Sequence, residues 1–235
     1  KRQAIGTASE SLCLVRVPGE STNRSSGISG CEVANTLARG SDIAQVVAEA
    51  YRQASNLADV ALQNGGGIRS PLPRGEVSFD TAYTVLPFHN VLLELQLSGR
   101  QIVEVLEDAV GNYLDQGGSD GSHPYAAGLR WHLDLSQPRG SRFRQVEVKR
   151  KASDAWQPIE PERTYTLVTS DYLAEGGDGY ATLAGIHRDG HSVNTYLNYT
   201  QTFVDYLLAR GTITRPAASE YSHQRVITRD GRTLP

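Results

Sequence analysis

The sequence predicts an α+β domain in which mixed β-sheets pack against helices. Three observations lead there. Segments of helical period stand behind recognisable N-caps, and short apolar or alternating stretches read as strands. Several of those strands follow one another through short turns, which favours mixed sheets over a doubly wound parallel one. A chain of 235 residues can bury a proper core. A hydrophobic content of 39% and a charged content of 21% set it apart from disordered chains. We read 1–235 as one domain, since no linker is long enough to divide it and no internal repeat is visible.

The elements follow in order. Residues 1–40 are the least regular part and are expected to wrap the remainder. Ser41 is a sound N-cap for a helix from Asp42 to Ala54, with Ile43, Val46, Val47, Ala50 and Ala54 on one face. Asp59 to Gln63 reads as a buried strand feeding Gly65-Gly66-Gly67. Val91 to Leu97 reads as a half-buried strand. Ser98 and Gln101 then match a capping box, opening a helix that buries Ile102, Val105, Leu106, Ala109 and Tyr113. Gln116 to Ser122 breaks the pattern as a loop. Leu129, Trp131, Leu133 and Leu135 alternate strictly, and Phe143 to Arg150 forms a partner strand joined through Pro138-Arg139-Gly140. Thr164 to Thr169 is a β-branched strand ending at a second glycine loop, Glu175 to Tyr180. Tyr199, Phe203, Tyr206 and Leu207 mark a last helix ending at Gly211, and Arg225 to Thr228 is a closing strand.

Composition narrows the partners. A formal net charge of −3 gives no electrostatic case for nucleic acid or an anionic membrane. No apolar run approaches the roughly 20 residues a bilayer span needs. Methionine is absent, position 1 included, and the opening reads like the middle of a protein, so we expect a piece of something longer. Cys13 and Cys31 flank a Gly/Ser/Asn-rich segment. They are either two separate buried thiols or a disulfide stapling that loop, and the second reading implies an oxidising compartment. No histidine lies near them, so they do not make a structural zinc site.

Four short segments put functional side chains on loops: Asn64 to Arg69, Leu86 to Asn90, Gly121 to Tyr125 and Asp171 to Tyr180. Glycine allows positive φ and close approach of backbone to a ligand. Arg69, just beyond three glycines, offers a planar fork for phosphate or carboxylate. Phe88 and Tyr172, taken singly, would ordinarily be core aromatics. Taken together on loops, they offer two faces for stacking a base, worth about 1–3 kcal/mol per face. Asn90 has an amide suited to a base edge, and Asp178 has acceptors for ribose hydroxyls, although an Asp between glycines is also a common turn residue.

As a set, Gln63 to Arg69, Thr84 to Asn90, the Ser98-Gly99-Arg100-Gln101-Ile102 helix start, Thr164 to Thr169 and Gly176 to Tyr180 resemble the C-terminal, substrate-binding domain of the bacterial 5'-nucleotidase family. The resemblance runs from about Leu12 to Leu208. Arg16-Val17-Pro18-Gly19 and the cysteine pair look more like the NAD-processing branch than the UDP-sugar hydrolase branch. The resemblance implies that Phe88 and Tyr172 stack on the two faces of the base, Asn90 contacts its edge and Gly121 lies against it. It implies that Asp178 binds ribose and Arg69 phosphate, with Arg16 the best match for a further phosphate-binding arginine. It further implies a nucleotide or nucleoside ligand of the AMP, NAD or UDP-sugar class, adenine above other bases, and a periplasmic, secreted or cell-surface bacterial protein.

Family members hydrolyse with two metal ions held by an N-terminal metallophosphoesterase domain. Such a site needs several Asp, His and Asn ligands. His89, His123, His132, His187, His191 and His223 form no His-x-His, and Gly190-His191 lacks a second histidine. We therefore expect no cofactor and no metal site in this chain, and histidines that are surface or satisfied polar groups. The divalent metals are expected in an N-terminal domain covalently linked to it, and the chain alone is expected to be inactive. The other readings are a free-standing nucleoside- or nucleotide-binding module and an accessory domain of an extracellular nuclease.

Overall fold

The computed structural model describes residues 2–235. Along the chain, β1 (Ala4–Ala8) and a short α1 (Val33–Thr36) precede α2 (Asp42–Ala54) and β2 (Val60–Asn64). Then come β3 (Gly75–Ser78), α3 (Phe79–Val85), β4 (Val91–Ser98), α4 (Gly99–Leu114), β5 (Pro124–Ala127), β6 (Leu129–Asp134), β7 (Phe143–Lys149) and β8 (Trp156–Pro158). The last third carries β9 (Thr164–Ser170), α5 (Asp171–Ala174), α6 (Ala181–Arg188), β10 (Ser192–Asn198), α7 (Tyr199–Arg210), β11 (Thr212–Ile213) and β12 (His223–Ile227). The class is α+β with mixed sheets, as the sequence predicts.

A five-stranded sheet of order β10-β4-β9-β2-β5 forms the centre. Its β2 and β9 are parallel and the remaining pairings antiparallel. Alternation along these strands sends side chains to two separate cores. Ala61, Leu92, Tyr125 and Val168 pack with Ile43 and Val47 of α2 and Phe203 and Leu207 of α7. Val60, Leu62, Leu95 and Leu167 pack with Ile102 and Leu106 of α4, Leu183 of α6, and Trp131 and Leu133 of the β12-β6-β7-β8 sheet. Helices follow their caps. The Ser41 side chain accepts from Ala44 N–H, and Ser98 with Gln101 makes the full capping box on α4.

Three expectations need correction. Ala54 is exposed, because α2 ends there and its last residue turns off the apolar face. Residues 1–40 are less irregular than expected, since β1 pairs with β3 and β11 in a three-stranded sheet. None of Gly65, Gly66 and Gly67 has positive φ; they form a single 3-10 turn, and their small size serves close approach. Cys13 and Cys31 are joined as a disulfide, Cα to Cα 5.4 Å, and both are buried.

Candidate functional site

Strand polarity brings the singled-out loops together. Because β2 and β9 are parallel, their C-terminal ends, Asn64 and Ser170, reach the same edge of the sheet. Because β4 and β5 run antiparallel to them, their N-terminal ends start at that edge, opposite Ser170 and Asn64 respectively. The Gly65–Gly67 turn, the Phe88–Asn90 loop, the Gly121 loop and the start of α5 therefore converge. They enclose a cavity of about 490 Å³, of a size suited to a small ligand. Arg16, Arg69, Phe88, Asn90, Gly121, Tyr172 and Asp178 all line it.

Each group is held by identifiable contacts. Phe88 is 49% exposed and Tyr172 46%, against the ordinary tendency of such rings to be core. The Phe88 backbone N–H donates to the Tyr199 hydroxyl at 2.7 Å, and Leu86 C=O accepts from Thr200 Oγ1 at 2.6 Å, so the first turn of α7 fixes that loop. The Tyr172 ring lies on Gly177, where an added Cβ would fall 2.5 Å from the ring. Its hydroxyl donates to Asp178 Oδ1 at 2.6 Å; partial burial, with that carboxylate beside it, pushes the phenol up to about 12. Asp178 Oδ2 accepts from Asn64 Nδ2 at 2.8 Å. Asp178 has a left-handed backbone, φ +57°, which Asp tolerates better than most side chains. Asn90 Nδ2 donates to Asp171 Oδ1 at 2.6 Å.

The glycine turn meets the Gly121 loop backbone to backbone. A Cβ on Gly66 would sit 2.8 Å from Gly121 Cα, so both loops need glycine to close the cavity floor. Arg69 is exposed, donates to Gly66 C=O at 3.2 Å and pairs with no carboxylate among the described residues. Arg16 is mostly buried and pairs with Asp120 at 3.0 Å. The stapled N-terminal segment presents it: Tyr125 Oη donates to Val15 C=O at 2.8 Å and to Arg16 C=O at 3.0 Å. Beneath the turn, Gly65 N–H donates to His123 C=O at 2.8 Å. His123 and His223 meet Nε2 to Nε2 at 2.8 Å, fully buried. Burial holds both imidazoles below their ordinary range, His223 down to about 3 with Arg39 adding to the effect.

Sequence reasoning missed Asn64, His89, Ser119, Ser170 and Tyr199, which also line the cavity. Asn64 stood inside the glycine motif, and its place at the end of a buried strand was the signal to look for. Tyr199 gave none, because it occupies a core position of α7 and reaches the cavity with its rim. Among the described residues no group of three or more His, Cys, Asp or Glu side chains is placed to hold a metal ion.

The architecture is an α+β domain with a cavity at one edge of a mixed sheet. The 5'-nucleotidase C-terminal domain family matches residues 17–185, more than half of the chain. The chain belongs to that family. It is 34% identical over 194 residues to the NAD 5'-nucleotidase of Haemophilus influenzae, which covers 81% of this chain and 31% of that protein. Its fold is similar to the structure of the Haemophilus influenzae NAD nucleotidase, with a TM-score of 0.80 and 29% identity over 92% of this chain and 37% of that one. A 5'-nucleotidase precursor from Thermus thermophilus is similar too, with a TM-score of 0.74 and 30% identity, covering 93% of this chain and 39% of that one. The chain therefore spans less than half the length of these relatives.

Proposed function

We propose that the cavity binds a nucleotide and presents its phosphate for hydrolysis by a metallophosphoesterase domain linked at the N-terminal side. The carrying observation is the pair of half-exposed rings, Phe88 and Tyr172, in one cavity with the guanidinium of Arg69, which pairs with no carboxylate among the described residues. In this reading the rings stack on the base, Asn90 meets its edge and Gly121 lies against it. Asp178, oriented by Asn64 and Tyr172, accepts from the ribose, and Arg69 with Arg16 holds phosphate. Contacts remote from the reacting bond would then fix the phosphate where chemistry occurs.

The polar set here is two guanidinium groups, side-chain amides, hydroxyls, the single imidazole of His89 and one carboxylate already engaged twice. That set suits an anion and a sugar and does not fit a pair of divalent cations, which this reading assigns to the other domain. The disulfide supports a periplasmic, secreted or surface location. Titration of the protein with AMP tests the binding role. Binding in the micromolar to millimolar range, weakened about tenfold by Phe88→Ala, is expected. No heat at millimolar AMP, with every ligand-induced NMR shift unchanged in Phe88→Ala, would reject it.

A further inference from the structure

The Asn90 side chain is held in one of its two possible orientations, and Asp171 does the holding. Asn90 lines the cavity; Asp171 does not. The Asp171 carboxylate is itself fixed, since Oδ1 also accepts the Tyr172 backbone N–H at 2.9 Å at the start of α5. The Asn90 main chain is fixed as well, its C=O accepting from Tyr199 N–H at 3.0 Å. A carboxylate only accepts hydrogen bonds, whereas a carboxamide has one donating and one accepting end. The NH2 end of Asn90 must therefore face Asp171. A half-turn of the amide would set two acceptor oxygens against each other and lose the hydrogen bond between them. No donor among the described residues reaches Asn90 Oδ1. The ligand thus meets an acceptor fixed in place, with at most one N–H of the same amide beside it.

We propose that Asp171 is a specificity-positioning residue that locks Asn90 to read a 6-aminopurine, adenine, over a 6-oxopurine. The proposal rests on the nucleotide reading of the cavity given above. Adenine offers a 6-amino donor beside a ring-nitrogen acceptor, which complements a fixed Oδ1 and a neighbouring N–H. A 6-oxopurine presents a carbonyl and a ring N–H along the Watson–Crick edge, the reverse pattern. Its O6 would meet Asn90 Oδ1, leaving two acceptors unpaired in a partly enclosed site. Asp171 touches no part of the base in this scheme; it acts through Asn90.

Calorimetric titration with adenosine and inosine, which differ at the 6-position and N1, reads this directly. The protein should bind adenosine about tenfold or more tightly than inosine, as expected for one well-formed edge contact. Asp171→Asn replaces the carboxylate with an isosteric amide that can donate or accept, so Asn90 is free to turn. The ratio should narrow to within about threefold, chiefly through tighter inosine binding. Asn90→Ala should collapse the ratio as well, and keeps the test alive should Asp171→Asn fold poorly. A merely structural role for Asp171 would weaken both nucleosides together and leave the ratio intact. A retained ratio in Asp171→Asn, or equal affinities in the unaltered protein, would overturn the proposal while leaving the nucleotide reading standing. Failure of both nucleosides to bind would instead reject the nucleotide reading, and this inference with it.

Discussion

At the scale of single residues, exposure and charge separate binding roles from structural ones. Arg69 is exposed and pairs with no carboxylate among the described residues, so its removal should leave stability nearly unchanged. Arg69→Ala should weaken AMP binding by about 1 kcal/mol, the size of a charged contact at an exposed site, and leave adenosine unaffected. Comparative titration of the two ligands checks this, and an equal loss for both would assign Arg69 to something other than phosphate. Arg16 differs, because a ligand phosphate would have to share it with Asp120. The sequence pointed to all seven of these lining residues through motif resemblance. It gave no sign that Asn90 is tied to Asp171, or that Phe88 hangs on Tyr199, since those pairs are far apart in the chain.

At the scale of elements, local signals were legible where caps and periodicity agree. The Ser98–Gln101 box, the α2 start at Ser41 and the alternation of Leu129, Trp131 and Leu133 are all present in the structure. Elements lacking such signals were missed. Strand β10 is exposed or half-buried along its length at the sheet edge, so it shows no alternation, and β1 takes its order from β3, β11 and α7, all distant in the chain. The loop between Cys13 and Cys31 was legible, by contrast: of the two readings its cysteines allowed, the structure has the disulfide. Closing a loop of this size should contribute about 3 kcal/mol, and reduction should lower the urea midpoint accordingly. Reduction should also weaken AMP binding, because the same segment seats Arg16 against Gly65 and Gly121. An unchanged midpoint after verified reduction would remove that role.

At the scale of the whole molecule, the buried His123–His223 pair links both cores to pH. The pair lies among Tyr113, Tyr125 and Trp131, with the Arg39 charge near His223. Both imidazoles stay neutral in the fold below their ordinary value of 6.5, whereas the unfolded chain protonates there. Stability should therefore fall as pH drops below about 6.5, by roughly 1 kcal/mol per pH unit for His223 toward its folded value of about 3, with His123 adding in the same direction. Thermal midpoints between pH 7 and 5 measure this. A His223→Gln variant should show a shallower decline, and an identical slope would discount the pair. With divalent metal, the chain alone should release no phosphate from AMP; measurable turnover would put a catalytic centre within it.

The sequence by itself determined the fold class, the family and seven of the residues that face the cavity. Those rest on local periodicity, on caps and on short motifs, each a property of neighbouring residues. Only the tertiary structure decided how the motifs meet. Parallel pairing of β2 with β9, and antiparallel pairing of β4 and β5, carry four loops to one sheet edge. Long-range partners then orient them: Asp171 on Asn90, Tyr199 on Phe88, Asn64 on Asp178 and Gly121 against Gly66. The opening triple glycine shows the division best. Its composition promised a permissive backbone, but whether that freedom served positive φ or close approach depended on a second glycine some distance away in the chain.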